Sequence, residues 1–153
     1  NQCLLKVADH AAKQEEYKEA IAIYEKVAAS QLNNNLTKYS CKDYYFKALL
    51  CQFAVSARKD DIEPVDAASE KYKDLLPAFE NARECKLIDG LIAAWKEDDV
   101  DAFTEALFKY DQITKLDNFQ SSILLEVKKA LKGEGVQAGG DDGEGSGDDV
   151  DMT

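Results

Sequence analysis

Small and apolar side chains recur three and four residues apart through the first 132 residues of this chain, and strand-type alternation is almost absent. That spacing gathers the apolar groups on one stripe of an α-helix, so the core has to form by packing helix on helix. Leu4, Val7, Ala8 and Ala11 make the first stripe; Tyr17, Ala20, Ile21, Tyr24, Val27 and Ala28 make the second. Only Gln14 to Glu16 stand between them, a gap that suits two antiparallel helices joined by a tight turn. Asn33-Asn34-Asn35 closes this unit, because asparagine favours turns and caps over helix interiors.

The same grammar continues along the chain. A helix is expected from about Tyr39 to Ala57, with Tyr44, Ala48, Cys51 and Val55 on one side. Pro64 is placed to start the next helix, which carries Ala68, Tyr72 and Leu75 and ends before Pro77. A third pair follows, Leu87, Ile88, Leu91, Ile92 and Trp95, then Val100, Phe103, Leu107 and Tyr110, with Asp98 or Asp99 as the cap between them. The last helix, about Phe119 to Leu131, carries Ile123, Leu124, Val127 and Leu131, with Asp117 as its cap. Lys128, Lys129 and Lys132 complement its C-terminal dipole, and Gly133 stops it.

Counted from Asn1, the small and large positions of the tetratricopeptide pattern fall on Leu4, Val7, Ala8, Ala11, Ala20, Tyr24, Val27 and Leu32. The expected fold is therefore all-α, a tetratricopeptide-like right-handed helical solenoid ending in a C-terminal helical bundle, with a disordered acidic tail. Residues 1–80 are read as the tetratricopeptide-like hairpins, 81–132 as the bundle and 133–153 as the tail.

The tail, Gly133 to Thr153, holds seven of the eight glycines and seven carboxylates, with no lysine or arginine. It carries seven of the net eleven negative charges, which leaves 19 basic and 23 acidic side chains in the first 132 residues. Such a segment buries too little apolar surface to fold and is read as a solvated polyanion. Calcium is not indicated, since an EF-hand needs a helix after its loop and none follows Asp151.

Other classes fall away on composition. No apolar run approaches the roughly 18 residues of a membrane helix, and no charged-then-apolar leader is present. The chain opens without methionine and already in a helical pattern, so it is read as the C-terminal part of a longer polypeptide. Cys3, Cys41, Cys51 and Cys85 have no C-x-x-C spacing and each sits in an apolar pattern, as free buried thiols do. One histidine, His10, is too few for a zinc site or a nucleophile's base, and no G-x-x-x-x-G-K or H-E-x-x-H occurs. Neither catalysis nor a cofactor or metal is expected. A sequence isoelectric point near 4.5 argues against nucleic acid as a partner. Lys6, Lys42, Lys47 and Arg83 lie roughly one repeat apart, so a helical array can align them as a row facing an elongated acidic partner.

Several stretches carry more than packing information. They are Cys3-Leu4-Leu5-Lys6-Val7-Ala8, Tyr17-Lys18-Glu19-Ala20-Ile21-Ala22-Ile23-Tyr24-Glu25, Lys38-Tyr39-Ser40-Cys41-Lys42-Asp43-Tyr44-Tyr45-Phe46-Lys47-Ala48 and Arg83-Glu84-Cys85-Lys86-Leu87. Tyr110-Asp111, Leu116-Asp117, Leu124-Leu125 and Val127-Lys128 follow in order. Together, over about Asn1 to Leu131, they closely resemble the C-terminal half of the alpha-type soluble NSF attachment proteins, called Sec17 in fungi.

The resemblance implies an adaptor that wraps an assembled SNARE four-helix bundle, syntaxin-type and other SNAREs included. It recruits and stimulates the hexameric ATPase NSF, which takes the bundle apart, and it works in the cytoplasm, peripherally on membranes. It places the SNARE-binding residues at Lys6, Lys42 and Arg83; another basic contact of the family falls on Gln2. Of the family's three acidic positions in the turn before the penultimate helix, Glu97 keeps its acid while Ala93 and Lys96 do not; Asp98, Asp99 and Asp101 are close enough to compensate, so the NSF-facing residues there are read as Glu97, Asp98 and Asp99. The others are Asp148, Asp149, Asp151 and Met152 at the terminus, where the family has a penultimate leucine. Reversing Lys42 and Arg83 together to glutamate is expected to weaken SNARE binding and leave the fold intact. The competing reading is a generic tetratricopeptide peptide-binding scaffold.

Overall fold

In the computed structural model, which describes residues 2–133, the described residues form seven α-helices and no strand. The helices are α1 (Gln2–Lys13), α2 (Tyr17–Gln31), α3 (Cys41–Lys59), α4 (Glu63–Leu75), α5 (Arg83–Lys96), α6 (Val100–Ile113) and α7 (Asn118–Leu131). Short 3₁₀ turns occupy Lys38–Ser40 and Pro77–Asn81. The all-helical reading holds, and so do its local signals. The Asp99 carboxylate accepts the Ala102 N–H at 3.0 Å, capping α6. Asp117 and Gln120 form a reciprocal capping box at the start of α7, with bonds of 2.8 and 3.1 Å. Pro64 lies in the first turn of α4, where its missing N–H costs nothing.

The largest departure from the sequence reading concerns α3. Its expected apolar stripe is too narrow: Tyr45, Phe46, Leu49, Leu50, Phe53 and Ala54 are buried alongside Ala48 and Cys51, while Tyr44 and Val55 are only half-buried. A helix apolar nearly all round has to be surrounded. α2, α4, α5 and α7 all pack on it. It also starts at Cys41 rather than Tyr39, because the preceding residues wind as a 3₁₀ turn, and it ends at Asp60, which takes a left-handed backbone at φ 53°. Tyr45 stacks on Tyr72 of α4 at 4.4 Å between ring centroids, and Phe53 meets Trp95 and Phe103 edge-on at 6.1 and 6.3 Å. One connected core runs from Ala8 to Leu131. Three thiols are buried as expected, but Cys3 is exposed at the outer side of α1. Burial pushes the Cys85 thiol up to about 11 and Cys51 up to about 12, which keeps both protonated and unreactive.

Contacts between helices fix their directions. Asp9 meets Lys47 and Glu15 meets Arg58, so α1 and α3 run the same way. Glu84 meets Lys42 and Trp95 meets Phe53, so α5 joins them. Phe119 lies by Lys47 and Glu126 by Arg58, so α7 does too. The starts of α1, α3, α5 and α7 therefore share one end of the molecule. At the opposite end lie the turns α1–α2, α3–α4 and α5–α6, each with one acidic residue in the left-handed region: Glu15 at φ 64°, Asp60 at 53° and Asp98 at 54°. Gly133, at φ 80°, closes α7 at that same end.

Candidate functional site

The starting end gathers two of the three basic residues named for the SNARE contact. Lys42, in the first turn of α3, holds its ammonium 3.6 Å from Glu84 Oε1 on α5; the lysine side chain is 39% exposed and the glutamate side chain 10%. The second oxygen of Glu84 accepts the Tyr110 hydroxyl at 3.2 Å, while Oε1 is buried with no hydrogen bond among the described residues. Burial first, then the neighbouring Glu84, pushes the Tyr110 hydroxyl well above its ordinary range, so it stays a donor. Arg83 stands beside this pair. Its guanidinium donates to the Thr114 hydroxyl and, at 3.2 Å, to the Tyr110 carbonyl, and it lies 4.7 Å from the Tyr110 ring centroid. It thus ties the first residue of α5 to the last turn of α6, where the Tyr110 carbonyl also accepts the Thr114 N–H at 2.9 Å.

That geometry corrects one expectation. Arg83→Glu would place a carboxylate against the Tyr110 carbonyl and beside Glu84, so the double reversal with Lys42 does not leave the fold untouched. Lys42→Glu alone is the cleaner probe. Lys47, the fourth member of the basic row, is enclosed as well: its ammonium is 3.4 Å from Asp9 and sits 5.7 and 5.8 Å from the ring centroids of Tyr24 and Phe119. Asp9 also accepts the Tyr24 hydroxyl. Lys6 differs from the other three. It is exposed on α1 and has no ion-pair partner among the described residues.

At the opposite end, the acidic turn is open to solvent. Glu97 caps the C-terminus of α5, Asp98 takes the left-handed backbone and Asp99 caps α6. All three are exposed, though Asp99 has one oxygen committed to the Ala102 N–H. Lys96, which stands where the family has an acid, is paired to Asp66 of α4 at 2.8 Å. That pairing offsets its charge. A wide groove of about 1320 Å³ begins at Asp98 and passes Trp95, Leu125 and Lys129 to Gly133. Asp148, Asp149, Asp151 and Met152 lie outside the described residues.

Comparison with known proteins identifies the lineage. A family model described as "Soluble NSF attachment protein, SNAP" matches residues 1–132. The chain is similar to alpha-soluble NSF attachment protein of Mus musculus, 46% identical over 134 residues, covering 88% of this chain and 44% of that one. It is also similar to beta-soluble NSF attachment protein of Bos taurus, 45% identical over 148 residues, 97% of this chain and 45% of that one.

This chain belongs to the soluble NSF attachment protein family.

Fungal members are similar as well, such as the vesicular-fusion protein SEC17 of Coprinopsis cinerea, 41% identical over 134 residues, 88% of this chain and 45% of that one. The chain spans less than half the length of these soluble NSF attachment proteins. No helix among the described residues is long and apolar enough to cross a membrane.

Sequence reasoning within this family frame missed the residues that organise the charges. Glu84 stood in a stretch quoted for its resemblance, yet nothing in its spacing shows that it is buried against Lys42 and Tyr110. Arg58 was overlooked entirely. One of its nitrogens reaches Glu15 at 2.8 Å and Glu126 at 3.0 Å, and the guanidinium lies over the Tyr17 ring at 5.2 Å, clasping the first hairpin, α3 and α7 together. Pairs 43 and 68 residues apart leave no local signature.

Proposed function

We propose that this chain is the C-terminal part of a SNARE-disassembly adaptor, active in vesicle fusion and intracellular membrane traffic. Lys6 on α1, with Lys42 and Arg83 in the first turns of α3 and α5, faces an assembled SNARE four-helix bundle, syntaxin-type and other SNAREs included. Glu97, Asp98 and Asp99, with Asp148, Asp149, Asp151 and Met152 beyond the described residues, recruit and stimulate the hexameric NSF ATPase. The protein performs no chemistry itself and works in the cytoplasm, held to membranes through the SNAREs it binds.

One observation supports this reading above the others. α5 begins with Arg83 and is capped by Glu97, so opposite charges stand at the two ends of a single 14-residue helix. At about 1.5 Å per residue the ends are roughly 20 Å apart, far enough for two partners to bind without touching. The family names of the relatives, which refer to NSF attachment and vesicular fusion, agree with it.

The test is a capture assay with an assembled SNARE bundle, with and without NSF. Lys42→Glu is expected to weaken capture in a salt-dependent way, and NSF is expected to join only when the bundle is present. Removing residues 148–153 is expected to lower NSF stimulation while sparing SNARE binding. Capture that Lys42→Glu leaves unchanged across ionic strength would sink the assignment.

A further inference from the structure

A buried carboxylate with an unbonded oxygen is costly unless a charge stands beside it. Glu84 is 7% exposed, and its Oε1 has no hydrogen-bond donor among the described residues. Its nearest positive charge is the Lys42 ammonium at 3.6 Å, beyond hydrogen-bond reach but well within Coulomb reach. Lys42 in turn makes no hydrogen bond among the described residues. Its three N–H groups are free for an outside acceptor while its charge is already claimed from within.

We propose that Glu84 is a specificity-determining residue that tempers Lys42, so that an acidic partner gripping this lysine competes with the protein's own buried carboxylate. This deepens the adaptor reading and rests on it. Lys42 and Glu84 together present no net charge, so an approaching carboxylate meets a dipole rather than a cation. As the partner draws on the ammonium, it competes with the attraction between Lys42 and Glu84.

Asp43 stands in the same field. Burial, outweighing the pull of Lys42 and reinforced by Glu84, holds its carboxyl above the usual aspartate range. The charged and titratable groups near Glu84 are Lys42 and Asp43 of α3 and Tyr110 of α6, with Arg83 preceding it on its own helix and Lys47 of α3 next to Asp43. Lys47 is held by Asp9, and Arg83 by Thr114 and the Tyr110 carbonyl, so neither replaces Lys42.

Glu84→Gln keeps the shape and an acceptor for Tyr110 while removing the charge. With an assembled SNARE bundle as the probe, isothermal titration at low and high salt reads affinity and its salt dependence together. Glu84→Gln is expected to tighten binding about two- to fivefold at neutral pH, the range for a partly exposed ion pair. It is also expected to steepen the salt dependence. A variant that binds as the parent does at both salt concentrations overturns the proposal, and so does one that binds more weakly while its thermal melt is unchanged. Lys42→Ala serves as the reference. If it leaves affinity unaltered, the placement of the SNARE contact fails along with this proposal; if it weakens binding while Glu84→Gln changes nothing, only the tempering role fails. In the parent's background, Glu84→Asp, a shorter carboxylate, is expected to fall between the parent and Glu84→Gln.

Discussion

The two ends of α5 use charge in opposite ways. At its start, Arg83 and Glu84 are drawn into the packing: one is stacked on Tyr110 and bonded to α6, the other buried between Lys42 and the Tyr110 hydroxyl. At its finish, Glu97, Asp98 and Asp99 stand on a turn in solvent, with one oxygen of Asp99 tied to the backbone. An embedded charge depends on the identity and length of each side chain. A displayed cluster depends on its sum, so under the proposed adaptor reading Asp98 and Asp99 supply charge that Ala93 and Lys96 do not. The basic end is thus exacting about residues and the acidic end about net charge.

Mutations graded by expected cost can break or sharpen this contrast. The largest loss belongs to the embedded end. Arg83→Ala removes two hydrogen bonds and a cation–π contact, and is expected to lower unfolding free energy by about 2–3 kcal/mol in urea titrations. A loss below about 0.5 kcal/mol would show that the arginine is displayed after all and erase the distinction. At the other end, Asp99→Ala removes the cap of α6 and is expected to cost about 1 kcal/mol, read the same way. Asp98→Gly relieves a left-handed backbone and is expected to stabilise by about 0.5 kcal/mol while weakening NSF recruitment, so stability and binding move in opposite directions. Smallest of all in stability is Glu97→Lys, expected within about 0.5 kcal/mol of the parent, with recruitment reduced and restored by an acid placed at Ala93. Failure of that rescue would show that the acidic end is as exacting as the basic one.

The ladder of helices was legible in the chain because local rules set it: stripes of apolar residues, Asp99 and Asp117 as caps, Pro64 and Pro77 as boundaries, Gly133 as a stop. The burial of α3 on nearly every side was less legible. Tyr45, Phe46, Leu49, Leu50 and Phe53 fall outside the single stripe that periodicity picks out; Tyr45 meets Tyr72 of α4, Phe46 meets Tyr110 of α6, and Phe53 meets Trp95 of α5 and Phe103 of α6, contacts with distant helices that no local pattern shows. The charged residues could be picked out along the chain, but not their pairings. Lys42 and Arg83 were named as basic contacts, but that both converge on one network through Glu84 and Tyr110 depends on helices brought together over 26 to 42 residues of chain. Exposed Cys3 shows the same limit: an apolar pattern places a residue on a stripe, and only a neighbouring helix buries it.

The contacts of Arg83 also have a mechanical meaning. α5 and α6 are joined through the chain at the turn 97–99, and at their far ends by the bonds from Arg83 to Thr114 and the Tyr110 carbonyl. The hairpin is therefore closed at both ends, a hoop rather than a fork. A pull applied at the acidic turn loads both legs together, and their far ends do not part from each other until the Arg83 clasp opens.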